Sequence, residues 1–278
     1  MIVLLGITNT KEKTKMYIIS IANAKGGVAK TTTTAAVASI LKSRGYTVLC
    51  MDLDPQGNLT KNSNVTASKK HGIVPIIQFG ESIFNHIDHT EYLDIVPSNK
   101  HLGTAQNEMT KANGGAFVLD KVIKNSSKGQ KHLSDFYDFL LIDTPPTFGP
   151  IVVNALMASD YVIVPVLHDG TSLDGAKEIR ENIDIIREYY NRNPKIAGIL
   201  RTRWEASTNV AKVSNDEIDE FAQSANIKLF NSIIRKGVVV SESFMLGENI
   251  LAYDDESGVI RDYIAFSDEL INYLSNGE

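Results

Sequence analysis

Cysteine is nearly absent from this chain: Cys50 is the single one among 278 residues. One thiol can build neither an intrachain disulfide nor a cysteine-ligated metal site, so disulfide scaffolds and single-chain iron–sulfur carriers are excluded. Cys50 falls in an apolar run and reads as a small buried hydrophobe. Long apolar runs are missing as well, so no segment reads as a bilayer span. The leading Met1-Ile2-Val3-Leu4-Leu5-Gly6 is too short for a signal-peptide core with a basic flank, and a cytoplasmic protein is expected. Positive charge is not in excess: 28 Lys and Arg stand against 33 Asp and Glu, a net charge of −5. That total does not announce a nucleic-acid binder, but a local basic face would count for more. Repeats and low-complexity segments are absent too.

What is present is alternation. Strand-like apolar runs at 17–22, 46–51, 92–96, 137–142, 161–166, 196–200 and 229–234 take turns with helical patterns near 31–43, 101–110, 115–124, 150–158, 172–190, 209–224 and 258–275. Such βαβ succession predicts an α/β fold with a doubly wound, mostly parallel sheet flanked by helices. Residues 16–278 read as one domain after an N-terminal extension, 1–15. Between Asn62 and Gln78, polar residues with Gly72 and Pro75 break any period, which predicts a loop or lid. The last helix carries apolar residues at helical spacing and a mainly acidic polar face with only Arg261 as a cation, so it is expected to dock on the domain and not on a membrane.

Between the first strand and first helix lies Lys25-Gly26-Gly27-Val28-Ala29-Lys30-Thr31-Thr32. A glycine-rich loop at a helix N-terminus offers unpaired N–H groups and the positive end of the helix dipole to a phosphate. Lys30 is placed for the β- and γ-phosphates and Thr31 for Mg²⁺. Because Ala24 and Ala29 stand where the ordinary loop has glycine, the plain pattern fails and the variant K-G-G-x-x-K-[ST] fits.

Two carboxylate motifs follow. Asp52-Leu53-Asp54-Pro55 closes the second strand, where residues two apart share a side, so both carboxylates are expected to face the site. Asp52 suits the Mg²⁺ shell through water and Asp54 the orientation of an attacking water; an ordinary acidic turn is the plainer alternative. Asp143, at the end of Phe139-Leu140-Leu141-Ile142, is a further Mg²⁺ candidate, and Pro145 and Pro146 stop that strand.

With its two lysines, its Asp52–Asp54 turn and its Asp143 strand, the chain resembles the ParA/MinD (deviant Walker A) ATPase superfamily, over nearly all of its length from Met16. The resemblance implies ATP and Mg²⁺ as cofactors and an ATP-bound sandwich homodimer in which Lys25 reaches the partner's nucleotide. It implies a partition ATPase of ParA type that holds nonspecific duplex DNA and is released when a ParB-like centromere-binding protein stimulates otherwise slow hydrolysis. Arg203, after Gly198-Ile199-Leu200, and Arg235, after Ile233-Ile234, fall near the family's base contacts; apolar residues usually stand where Arg201 and Arg203 are. The family's DNA face is built from the last third, where Lys195, Arg201, Arg203, Lys212, Lys228, Arg235 and Lys236 concentrate. Arg235 and Lys236 are the DNA candidates, and their removal is expected to spare ATP binding. Val238-Val239-Val240 occupies ground where a second arginine is common. The short extension leaves no room for the helix-turn-helix domain of larger ParA proteins. The alternative function is a ParA-like factor that positions a protein cluster or other cargo; a purely structural module would not require Lys25, Lys30, Asp54 and Asp143 together.

Overall fold

Eight strands form one sheet that runs, from edge to edge, through residues 229–235, 195–204, 161–166, 17–21, 139–143, 48–52, 94–96 and 88–89. The computed structural model describes residues 15–111, 114–205, 209–246, 248, 250–254 and 256–276. Its strands are β1 (Tyr17–Ile21), β2 (Val48–Asp52), β3 (Asp88–His89), β4 (Asp94–Val96), β7 (Phe139–Asp143), β8 (Tyr161–Val166), β9 (Lys195–Trp204) and β10 (Leu229–Arg235), with β5 (Ser127–Lys128) and β6 (Lys131–His132) forming a separate hairpin. The helices are α1 (Lys30–Ser43), α2 (Asn58–Asn62), α3 (Ile73–Phe79), α4 (Leu102–Lys111), α5 (Val118–Asn125), α6 (Pro150–Ala158), α7 (Gly170–Tyr190), α8 (Asn209–Ser224), α9 (Val239–Met245), α10 (Ile250–Tyr253) and α11 (Gly258–Asn276). Every pairing in the large sheet is parallel except that of the two-residue edge strand β3 with β4.

Strand alternation divides the core. Ile19 and Ile21 of β1, Cys50 of β2 and Leu141 of β7 point to one face, where α1 and α11 cover them with Ile40, Tyr263, Phe266 and Leu270. Leu49, Met51, Leu140 and Ile142 point to the other face under α3–α6, and Val162, Val164 and Val166 continue it under α7 and α8. Burial on both faces is why these strands read as continuous apolar runs and not as alternating ones. Strands on either side of the β1–β7 pair are added in opposite directions, so the sheet reverses there. Ligands of such sheets bind at the carboxyl ends of the strands at that point.

The expected loop at 62–78 is only partly a loop, because Ile73 to Phe79 form α3. Pro75 lies in its first turn, where the missing N–H has no intrahelical partner to lose. The expectation for residues 1–14 lies outside the described residues. Among the described residues, no helix is long and apolar enough to cross a membrane.

Candidate functional site

The loop after β1 bends into α1 through Ala29, whose φ of 65° is left-handed, and no side chain caps the helix. The 14-residue helix therefore presents an uncapped N-terminus with no acidic residue in its first turn, which suits an anion. Gly27, at φ +79°, supplies the other left-handed turn at no steric cost.

The loop's carbonyls are held from behind. Lys30 Nζ donates to the carbonyls of Asn23 (2.9 Å) and Lys25 (2.8 Å). Thr202 Oγ1 donates to Val28 O (3.1 Å) and Arg203 Nη1 to Gly27 O (3.1 Å). Asn23 accepts from the Lys25 N–H and donates to the carbonyls of Pro165 and Ser172. This last contact explains Gly175 of α7, since a Cβ there would lie 2.1 Å from Asn23 Oδ1. With carbonyls tied back, the loop is preorganised for an anion on its amide side. Burial lowers the Lys30 ammonium to about 8, against the attraction of Asp143 and Asp54, and a bound polyanion would raise it again.

Thr31 and Asp143 meet: the Thr31 hydroxyl donates to Asp143 Oδ2 at 2.7 Å. Asp143 Oδ1, fully buried, has no partner among the described residues. Asp52 stands beside Asp143 in register on β2, and both are buried. Burial, and then the negative charge of Asp52, hold the Asp143 carboxyl well above the usual range. Burial pushes Asp52 up to about 6 against the hydrogen bonds that it accepts from Thr60 and Asp54.

The expectation that Asp52 and Asp54 face the same way is corrected. Strand β2 ends at Asp52, and Asp54 lies in the following turn, where the period of two no longer applies. Asp54 lines the cleft, with one oxygen fixed by the Gln56 N–H at 2.8 Å. Asp52 does not: its Oδ2 accepts from the Thr60 N–H and hydroxyl, and its Oδ1 from the Asp54 N–H. The structure thus brings Lys30, Thr31, Asp143 and Asp54 together, with Asp52 buried beside Asp143 and bonded to Thr60 in α2.

The cleft itself holds about 530 Å³. One wall is the loop, from Gly26 to Thr32; the other is Ile234, Arg235, Lys236, Gly237 and Val238 after β10, with Val259 and Tyr263 of α11. Tyr263 was legible only as a core-facing position of the last helix; its hydroxyl shares a hydrogen bond with Thr33. Arg203 also lines the cleft, but its bond to Gly27 sets it against the phosphate loop and not at the base end, as the resemblance had it. Lys25 is half-buried at the loop's opening.

Arg235 and Lys236 do not project as a free basic pair. Arg235 bonds both oxygens of Asp262 (2.7 and 2.8 Å), and Lys236 Nζ bonds Glu205 (2.8 Å). Both line the cleft, so the expectation that their removal spares ATP binding does not follow from the geometry. The other cations scatter: Lys195 and Lys228 lie at the opposite, N-terminal ends of β9 and β10, and Arg201 is half-buried on Asn215 and the Phe230 carbonyl. The side chain of Lys212 lies outside the described residues.

The chain is similar to known proteins in sequence and in fold. The AAA domain family matches residues 16–196. The chromosome partitioning protein ParA of Myxococcus xanthus is 30% identical over 91% of this chain and 87% of its own. The sporulation initiation inhibitor protein Soj of Bacillus subtilis is 29% identical over 91% of this chain and 97% of its own. Among solved structures, an ATP complex of Cyanothece McdA superposes with a TM-score of 0.81 at 21% identity, over 94% of this chain and 97% of that one. A plasmid partition protein of Borrelia burgdorferi bound to AMPPNP gives 0.74 at 22% identity, over 95% and 100%.

Proposed function

The chain belongs to the ParA/Soj family of ATPases, and we propose that it is an ATP-driven partition switch for plasmid or chromosomal DNA. In this reading it binds ATP with Mg²⁺, closes as a sandwich homodimer on nonspecific duplex DNA, and lets go when a ParB-like partner stimulates a slow hydrolysis. The observation that carries it is the grouping of Lys30, Thr31, Asp143 and Asp54 around one uncapped helix N-terminus. The partition role is supported by the names of the relatives.

The loop N–H groups would hold phosphate oxygens, and Lys30 would exchange its two carbonyl acceptors for the β- and γ-phosphates. Thr31 and Asp143 would hold Mg²⁺: the orphaned Asp143 Oδ1 and the adjacent hydroxyl are a hard-oxygen donor set, and two buried carboxylates side by side favour a cation. When bound, the ion would neutralise charge developing on the transferred phosphoryl group. Asp54, held in plane by Gln56, orients the attacking water. Lys25 is the residue assigned to the partner's nucleotide across the dimer.

DNA contact by Arg235 and Lys236 requires their release from Asp262 and Glu205. The ATP-bound protein should bind duplexes of unrelated sequence equally and lose affinity steeply as salt rises. Removing both side chains should lower the affinity and the salt slope together, with ATP affinity measured alongside because both line the cleft. An ATP-bound protein that ignores DNA at low salt would refute the DNA step and favour the positioning of a protein cargo.

A further inference from the structure

Five residues other than glycine adopt positive φ among those described: Ala29, Asn64, Asn191, Arg203 and Asn226. Three are asparagine, which tolerates the left-handed region. The two that do not, Ala29 and Arg203, both line the nucleotide cleft. Left-handed backbone at intolerant residues persists where the surroundings enforce it, and it clusters at ligand sites. Ala29 is accounted for as the entry to α1. Arg203, at φ 50°, lies one residue before the end of β9 where three residues of β9 span two of β10, so its left-handed turn belongs to a bulge, a device that re-aims a side chain beside a site.

What this backbone achieves is the direction of the side chain. Thr202 faces inward, with its hydroxyl bonded to Val28 O, while Arg203 turns its exposed guanidinium onto Gly27 O of the same loop. Among the described residues that is its one hydrogen bond, out of five N–H donors. The unspent donors sit at the mouth of a cleft whose loop is shaped for an anion.

We propose that Arg203 is a further phosphate-binding residue of this site, acting within its own subunit from β9, and that its left-handed backbone is kept for that contact. The inference rests on the cleft being a nucleotide site. It moves Arg203 from the base, where the resemblance put it, to the phosphates, because its guanidinium meets Gly27 of the loop across 176 residues of sequence.

Arg203→Gly separates the side chain from the backbone, since glycine adopts φ 50° without strain. Binding of ATP and of GTP by Arg203→Gly and Arg203→Lys is compared with wild type by calorimetry, beside thermal melting of the free chain. Both nucleotides should bind about tenfold more weakly to Arg203→Gly at an unchanged ATP-to-GTP ratio. Arg203→Lys should recover part of the loss, and the melting temperature of Arg203→Gly should hold or rise. Unchanged ATP affinity overturns the proposal and, with a lower melting temperature, marks Arg203 as a structural brace. A loss that instead alters the ATP-to-GTP ratio also overturns it, because it marks a base contact. If wild type binds neither nucleotide, the reading of the cleft falls and this inference with it; if wild type binds and Arg203→Gly binds equally, this inference alone falls.

Discussion

Lys30→Ala is expected to abolish ATP binding, with affinity reduced by about a hundredfold or more in calorimetric titration. Two charge-assisted hydrogen bonds to phosphate are lost, each of roughly 1.5–3 kcal/mol. The same substitution leaves the Asn23 and Lys25 carbonyls without their ammonium donor, so the loop loosens before any ligand arrives. Lys25 does not replace it, since it stands at the opening of the loop and not beneath it. An ATP affinity close to wild type would mean that the phosphates lie elsewhere.

Asp54→Ala is expected to leave ATP binding intact and to lower the turnover rate by about a hundredfold or more, the range in which a positioned base or water-orienting group contributes. Two contacts of this turn do not depend on the carboxylate, the Asp54 N–H bonded to Asp52 and its carbonyl to the Gly57 N–H, and only the Gln56 N–H loses its acceptor. Single-turnover hydrolysis of bound ATP checks this. Hydrolysis at the wild-type rate would show that another group orients the water.

The parts of the site legible in sequence are those whose signal is local. Gly26, Gly27, Lys30 and Thr31 are contiguous, and the turn geometry that they need is written into the same eight residues. Asp143 was legible because a buried parallel strand shows as an unbroken apolar run ending in one acid. The relation of Asp52 to Asp54 was misjudged because strand periodicity was carried past the strand's end at Asp52. Helix α3 was hidden by Pro75, a breaker only beyond the first turn.

Charge was the least legible quantity. Arg235 looks free in the sequence, yet Asp262, 27 residues later, takes both arms of its guanidinium, and Gly258 leaves the room for it: a Cβ there would lie 2.6 Å from Nη1. Lys236 finds Glu205 across the β9–β10 edge in the same way. The cleft's second wall was equally invisible, because Tyr263 reads as a core position of α11 and reaches the site only when the helix folds back on α1.

The central claim is that nucleotide controls association, and sedimentation equilibrium tests it most directly. With saturating ATP and Mg²⁺, the wild-type protein should sediment at twice the mass of the 30.6 kDa chain, and with ADP as a single chain. Lys25→Ala, still binding ATP, should remain a single chain under both conditions. Wild type that stays a single chain with ATP bound, or Lys25→Ala that pairs as wild type does, would contradict the account.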